Sequence, residues 1–261
     1  MFDFWRRLSA PIFVAAALAL SACASAPSSV SKEAVGQIKT IGIISSLGTD
    51  LHYERIGAGG WDNDFYTVPA ASLGIDPTVV DLVGKQLTGR FAVKRVTYNP
   101  ADFAPTPDDT LETMAAKIRA SARPLDLDAY LLVLRANAQL QTSGNTWDFS
   151  AQQVTGFGVT RKSRMVDHDY WAHALYVVVM VDGHTGKVLS ETAAPGGYQK
   201  LGLLEFPQMG GPYKDVDETY WPEDPQHPTS AVTAKLVDGM LKPLFVESLP
   251  ATLKKANLLP Q

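Results

Sequence analysis

The chain has a single cysteine, Cys23, among its 261 residues. One thiol cannot form an internal disulfide, and it cannot supply the several thiolates of a structural zinc or iron–sulfur site. The sequence also lacks an excess of basic residues, since 23 Lys and Arg stand against 27 Asp and Glu for a net charge of −4. We therefore expect no nucleic acid partner, because phosphate binding needs a basic surface.

Common catalytic and cofactor-binding motifs are missing as well. There is no Gly-x-Ser-x-Gly turn and no His-Glu-x-x-His pair. The run Asp62–Asp64 lacks the glycine and distal glutamate of a calcium loop, and Gly183–Lys187 has the wrong spacing for a phosphate loop. These absences predict a protein without a bound cofactor, and they favour a non-enzymatic role.

The N-terminal sequence predicts export and lipidation. Arg6 and Arg7 precede the apolar run Ile12–Leu20, which is too short to span a bilayer and is typical of a secretory signal. The sequence Leu20-Ser21-Ala22-Cys23 resembles the lipobox of bacterial lipoprotein precursors. That resemblance implies cleavage before Cys23, a diacylglyceryl thioether on its sulfur and an acylated new N-terminus. In that family an aspartate after the cysteine marks inner-membrane retention, so Ala24 implies an outer-membrane lipoprotein facing the periplasm.

The same region allows a different cleavage site. Ala24-Ser25-Ala26 is a small-residue pattern whose use would yield an unlipidated secreted protein. On the lipoprotein interpretation, residues 1–22 are the signal peptide and residues 23–36 are a lipidated tether. The run Ala24–Lys32 has too little apolar surface to order itself. We expect a single domain over residues 37–261, with order beginning near Ile38.

The pattern of the remaining sequence predicts an α/β (α+β) fold. Apolar, β-branched runs predict strands, and apolar residues at helical spacing behind N-cap residues predict helices. The order predicts a single mixed sheet flanked by helices, with a C-terminal helix interrupted at Pro243. The predicted strands cover residues 38–44, 91–96, 129–134, 149–159, 174–181 and 188–190, and the predicted helices begin near Asp76, Thr106 and Val232.

Three of these segments carry a family resemblance. They are Ile41-Gly42-Ile43-Ile44, Leu127–Leu132, and Val177–Leu189 with its Asp182-x-x-Thr185-Gly186-Lys187 turn. Together they resemble a group of periplasmic lipoproteins that includes the curli-secretion lipoprotein and the activators of penicillin-binding proteins. The resemblance covers residues 38–192 and implies a domain that binds other envelope proteins.

One short cluster could carry chemistry. Asp167, His168, Asp169 and His173 place two carboxylates and two imidazoles within seven residues. Such side chains could ligate a divalent ion or serve a hydrolase, provided that they converge. The alternative is a polar loop that enters a strand, because residues five apart on a strand point to opposite faces.

Residues 195–228 form a long connection rich in glycine, proline, acidic residues and aromatic residues. We expect a surface excursion that contacts a basic partner, since aromatic side chains often anchor interfaces. The alternative is that Phe206 and Trp221 fold back over the sheet as a lid.

These observations favour a non-enzymatic envelope binding or assembly factor, attached to the membrane through its N-terminal lipid. We expect an envelope protein partner and consider a homo-oligomer. The alternative is a periplasmic hydrolase or metal-binding protein that uses the cluster of residues 167–173.

Overall fold

The structure is a computed structural model that describes residues 27–57, 63–103, 111–122, 126–140, 152–163, 167–195, 198–201, 204–207 and 211–260. The described helices are α1 Lys32–Gln37, α2 Ile75–Leu87, α3 Leu111–Ala122, α4 Ser230–Leu236 and α5 Lys242–Lys255. The described strands are β1 Thr40–Ser46, β2 Asp50–Ile56, β3 Asp64–Pro69, β4 Ala92–Lys94, β5 Ala129–Arg135, β6 Asn137–Leu140, β7 Gln152–Thr155, β8 Phe157–Ser163, β9 His168–Ala174, β10 Tyr176–Asp182, β11 Val188–Ala193, β12 Tyr198–Leu201, β13 Leu204–Pro207 and β14 Tyr213–Asp215. Cys23, the signal segment and the predicted Thr106 cap lie outside the described residues.

The described strands build two five-stranded mixed sheets and two two-stranded ribbons. Sheet A has the order β11-β10-β5-β1-β4, and sheet B has the order β14-β9-β8-β2-β3. The mixed α+β class is confirmed, but the strands form two large sheets rather than the single sheet predicted. The second sheet escaped prediction because its strands carry charged residues such as Glu54 and Arg55, which interrupt the apolar pattern.

Sheet A is the apolar centre of the domain. Ile41, Leu132 and Val179 lie on its neighbouring strands β1, β5 and β10, as predicted. One face of the sheet packs against α2 and the C-terminal helices, and the other packs against α3 through Ile118. The first of these clusters also includes residues of sheet B, so both sheets share one core. Among the described helices, none is long and apolar enough to cross a membrane.

Order begins earlier than predicted. Val30 is fully buried, and its N–H donates to the carbonyl of Ala256 over 3.1 Å. The N–H of Glu191 on edge strand β11 donates to the carbonyl of Pro27 over 2.8 Å. The predicted tether of residues 23–36 is therefore too long, because residues 27–31 cover the sheet edge and α1 follows them directly. The small, polar composition of residues 27–31 predicted disorder. These residues are ordered by backbone hydrogen bonds to parts of the chain that are distant in sequence.

The C-terminal helix is interrupted as predicted. A π-helical turn, Val237–Leu241, separates α4 from α5, and Pro243 lies in the first turn of α5. Proline has no N–H, and its ring would clash with the carbonyl four residues earlier. The wider turn accommodates that ring while Leu236, Val237 and Leu241 stay in the core.

Part of the 195–228 segment belongs to the fold. Strand β14 pairs with β9 at the edge of sheet B, with Tyr213 opposite His173. Trp221 packs against the shared core, whereas the acidic residues Asp215, Glu218 and Glu223 are exposed. The lid alternative therefore describes Trp221 better than a surface excursion does, and the side chain of Phe206 lies outside the described residues.

Candidate functional site

Two arginines lie side by side where sheet B leaves the core. In the parallel pairing of β2 with β8, Arg55 is opposite Arg161, and in the pairing of β8 with β9, Arg161 is opposite Tyr170. Neighbouring strands are about 4.8 Å apart, and residues in register point to the same face. Two residues earlier on the same face, Tyr53 and Val159 are buried in the core. The arginines therefore occupy the rim of that apolar face.

The two guanidinium groups at this rim have different described partners. Arg55 Nη2 is 2.5 Å from Asp64 Oδ2, and both side chains are just over a third exposed. Arg161 Nη2 donates to His168 Nε2 over 2.6 Å, so the imidazole accepts at Nε2 and carries its proton at Nδ1. Within the described part of the chain, Arg161 forms no ion pair. Among the described contacts, the two guanidinium groups of the rim have one carboxylate partner, Asp64.

Three buried N–H groups of this cluster have no hydrogen-bond acceptor in the described residues: Arg55 Nε, Arg161 Nε and His168 Nδ1. Leaving a buried donor unpaired costs about 1–3 kcal/mol, and more for a charged group. Three such donors in one cluster can bind an acceptor that the described residues do not supply. A carboxylate or phosphate group would satisfy them, because a guanidinium binds either oxyanion in bidentate fashion.

Aromatic rings line the site around Arg161. The Trp221 ring centroid is 5.9 Å from Arg161 Cζ, 5.9 Å from the Tyr53 ring and 6.4 Å from the Tyr170 ring. The ring of His168 lies 6.2 Å from that of Tyr170. Arginine stacked on tryptophan keeps its charge while losing water on one side. The rings thus lower the local polarity around the guanidinium groups, which strengthens any ion pair formed there.

The backbone around Trp221 is held at several points. The N–H of Val216 donates to the carbonyl of Tyr170 over 3.0 Å, and Asp217 caps the short 3₁₀ turn Glu218–Tyr220 by accepting from the Thr219 N–H over 2.9 Å. Lys235 Nζ lies 4.2 Å from the Tyr220 ring centroid. Trp221 is therefore positioned before any ligand arrives.

The predicted cluster of Asp167, His168, Asp169 and His173 does not converge. His168 faces the arginine rim, whereas His173 is fully buried on the other face of β9, with Nδ1 3.3 Å from Thr160 Oγ1. Asp167 accepts from the His168 backbone N–H over 2.7 Å. The described residues contain no group of three or more His, Cys, Asp or Glu side chains that could hold a metal ion. The odd spacing on a strand separates the two imidazoles.

His173 instead belongs to a buried polar chain. Thr160 Oγ1 lies 3.3 Å from Glu54 Oε2 and 3.3 Å from His173 Nδ1, and all three residues are at most 1% exposed. Neighbouring strands β2, β8 and β9 supply one residue each. At that burial the three groups are closed to a substrate, and they tie the strands of sheet B together.

Two further ionisable groups lie where sheet A meets sheet B. Burial raises the pKa of Asp76, whose Oδ1 accepts from Ser45 Oγ over 2.6 Å and from the Leu47 N–H over 2.9 Å. Burial, with the nearby Arg135 charge, lowers the pKa of His52 to about 4. His52 is therefore neutral at neutral pH. Asp76 shapes the end of β1, and neither group joins the arginine cluster.

The sequence analysis missed Arg55 and Arg161. The sequence around Arg55 and the sequence around Arg161 contain no recognisable site motif. The two residues lie 106 positions apart and become neighbours only through strand pairing. The usable signal was the alternation of Leu51, Tyr53 and Arg55, which puts a charge at the end of an apolar strand face.

Comparison with known proteins adds structural likeness alone. No protein-family model matches the chain, and no curated protein matches it. Among solved structures, a hypothetical protein from Chlamydia trachomatis is similar over 85% of this chain and 98% of its own length, with 8% sequence identity and a TM-score of 0.33. A score of that size supports no transfer of fold or function.

Proposed function

We propose that this protein is an outer-membrane lipoprotein, anchored through Cys23, whose periplasmic domain binds another envelope component without catalysing a reaction. The lipobox-like sequence Leu20-Ser21-Ala22-Cys23 supports the anchor. Pro27, only four positions after Cys23, is already hydrogen-bonded to strand β11. Four residues span at most about 14 Å, so the anchor would keep the domain close to the membrane surface.

The binding site of this factor is the rim formed by Arg55, Arg161 and His168, and its ligand presents an anionic group. The observation that carries this proposal is the set of three buried N–H donors that lack an acceptor in the described residues. The indole of Trp221 beside Arg161 supplies apolar contact area next to the charge. Aromatic and arginine side chains together are typical of interface anchors.

Photo-crosslinking in the native envelope tests the site. A photoactivatable phenylalanine analogue replaces Tyr66, which lies on β3 opposite Tyr53 and so shares the face of Arg55. We expect a discrete crosslinked species. Arg161→Gln should weaken the affinity for the crosslinked partner about 10- to 100-fold and so reduce the crosslink yield, because a charged hydrogen bond is lost. Lys162→Gln is the matched control, since Lys162 is the next residue on β8 and points to the opposite face.

The two variants separate the outcomes. Loss of the crosslink in Arg161→Gln with retention in Lys162→Gln supports recognition at the rim. Equal yields in both variants, with both proteins folded by circular dichroism, would overturn it.

A further inference from the structure

A groove opens at the end of the domain where the chain enters and leaves. It has a volume of about 620 Å³ and lies between α1, the start of β4 and the C-terminal residues. Its walls are apolar and largely buried, with Val35, Ile38 and Phe91 each less than a tenth exposed, and Leu259 completes them. The groove is thus an open apolar surface at one edge of sheet A.

Two cations stand at the mouth of this groove. Lys32 and Arg90 line it and are exposed, and Arg90 Cζ lies 5.5 Å from the Phe91 ring centroid. The described residues that line the groove include no carboxylate, and Glu33 of α1 lies outside the lining. An apolar floor beneath a cationic rim matches an amphiphile with an anionic head.

The segment that follows the proposed anchor leads from the opposite edge of sheet A to the groove. Residues 27–30 run from strand β11 to the end of α5, where the Val30 N–H donates to Ala256, and Asn257 Nδ2 donates to the Val30 carbonyl over 2.9 Å. Asn257 is itself part of the groove lining, and α1 begins two residues after Val30. An anchor at Cys23 would therefore join the domain at the β11 edge of sheet A, and residues 27–31 would connect it to the groove at Lys32.

We infer that the groove is the membrane-facing surface of the domain and seats an anionic phospholipid, with Lys32 and Arg90 on the headgroup phosphate. The inference rests on the proposed anchor for its orientation, and on the charge and shape of the groove for its ligand. One lipid anchor and a basic contact together give more stable membrane attachment than either alone.

A unique labelling site makes the orientation measurable. Cys23 is the only cysteine, so once it is acylated an introduced cysteine is the sole free thiol. Gly36 lines the groove, and a Cβ placed there meets nothing within 4 Å, so Gly36→Cys introduces a thiol for labelling without a clash at Cβ. Asp102→Cys is the control, because the turn Pro100–Phe103 contacts Ser46 at the opposite end of β1.

The lipidated protein is reconstituted into vesicles of phosphatidylglycerol and phosphatidylcholine that contain nitroxide-labelled headgroups. We expect strong quenching of the fluorophore at position 36 and weak quenching at position 102. Equal quenching at both positions, or stronger quenching at position 102, would overturn the orientation. Fatty-acid labelling of the same preparation shows separately whether the Cys23 anchor exists.

A second measurement tests the groove without the anchor. The chain from residue 23 with Cys23→Ser contains all the described residues and is mixed with the same vesicles. We expect binding to phosphatidylglycerol that Lys32→Gln with Arg90→Gln weakens about 30-fold. Lys162→Gln with Lys214→Gln removes the same charge from sheet B and should leave binding unchanged. Two results would overturn the lipid assignment: an affinity that does not depend on the phosphatidylglycerol content, or an affinity that falls equally in both double variants. Either result would do so even if Cys23 is acylated.

Discussion

Single side chains join strands that are remote in sequence. Asp128 lies just before β5, and its Oδ2 accepts from the Thr40 N–H over 2.8 Å, from the Lys39 N–H over 2.9 Å and from Thr40 Oγ1 over 3.0 Å. These hydrogen bonds to the backbone of Thr40 and Lys39 lower the pKa of Asp128 to about 2. The carboxylate thus fastens the start of β1 to the start of β5.

We expect Asp128→Asn to lower the free energy of unfolding by about 1–2 kcal/mol, because hydrogen bonds to a charged acceptor are replaced by neutral ones. The control is Asp126→Asn, since Asp126 is 94% exposed and should have almost no effect. Urea unfolding at neutral pH measures both. A folded-state pKa below the unfolded value means that the contribution of Asp128 is present above about pH 4 and is lost as the pH falls toward 2. The gap between wild type and Asp128→Asn should therefore close on acidification, and a gap that is constant with pH would contradict this account.

At the scale of the element, close strand packing sets what a glycine position tolerates. A Cβ at Gly158 of β8 would lie 1.9 Å from the carbonyl oxygen of His52 on β2, whereas a Cβ at Gly84 of α2 meets only side-chain atoms at 3.7 Å and beyond. The first glycine permits the pairing of two strands. The second sits inside a helix, where glycine is a poor helix former.

We predict opposite signs for the two alanine substitutions. Gly158→Ala should destabilise the protein by more than about 2 kcal/mol, because β2 must move away from β8. Gly84→Ala should stabilise it by about 0.5–1 kcal/mol through the lower backbone entropy of the unfolded chain. Thermal unfolding of the two variants measures both changes in stability. If Gly158→Ala leaves the stability unchanged, β2 and β8 are not packed as described.

The 195–228 segment gives a second prediction at this scale. Deleting residues 199–224 removes β14 from the edge of sheet B and takes Trp221 from the core. We therefore expect the shortened chain to lose cooperative unfolding in calorimetry. A shortened protein that unfolds at the wild-type temperature would restore the idea of a detachable surface excursion.

At the scale of the whole molecule, two separate regions of the domain carry different chemistry. The groove is lined by Lys32 and Arg90 beside α1, and the arginine rim lies on sheet B. A lipid at Cys23 would fix one end of the domain at the membrane. In the proposed arrangement the other site stays open to the periplasm.

The anchor itself is tested by Cys23→Ser. We expect a fatty-acid analogue supplied to growing cells to label the wild-type protein and not the serine variant, because only the thiol can form the thioether. Precursor should also accumulate in the variant, which immunoblotting would detect as a larger species. Equal label on both proteins would exclude the lipoprotein assignment and leave the cleavage site at Ala24–Ala26.

The local sequence determined the elements of sheet A. Continuous β-branched and apolar runs specify β1, β5 and β10, because a strand buried on both faces has no other composition available. Pro77 and the apolar spacing that follows likewise predict α2, although Gly74 and not Asp76 takes the N-cap position, and Asp76 Oδ1 instead accepts from Ser45 and Leu47. Asp182 predicts the turn before β11 through its hydrogen bonds to His184 and Thr185. Each of these elements is stabilised by contacts with residues close in sequence or by burial against any apolar surface. The local sequence pattern is therefore sufficient to predict it.

Only the tertiary structure determined the position of the arginine rim and the N-terminal limit of the domain. The pairing of Arg55 with Arg161, the burial of Val30 and the placement of Trp221 all depend on partners more than 50 residues away. Strand pairing is made by backbone groups that every residue carries, so the side-chain pattern does not encode which strands meet. The two histidines of β9 illustrate the difference, because their spacing predicted opposite faces while only the folded chain gave His168 an arginine and His173 a threonine.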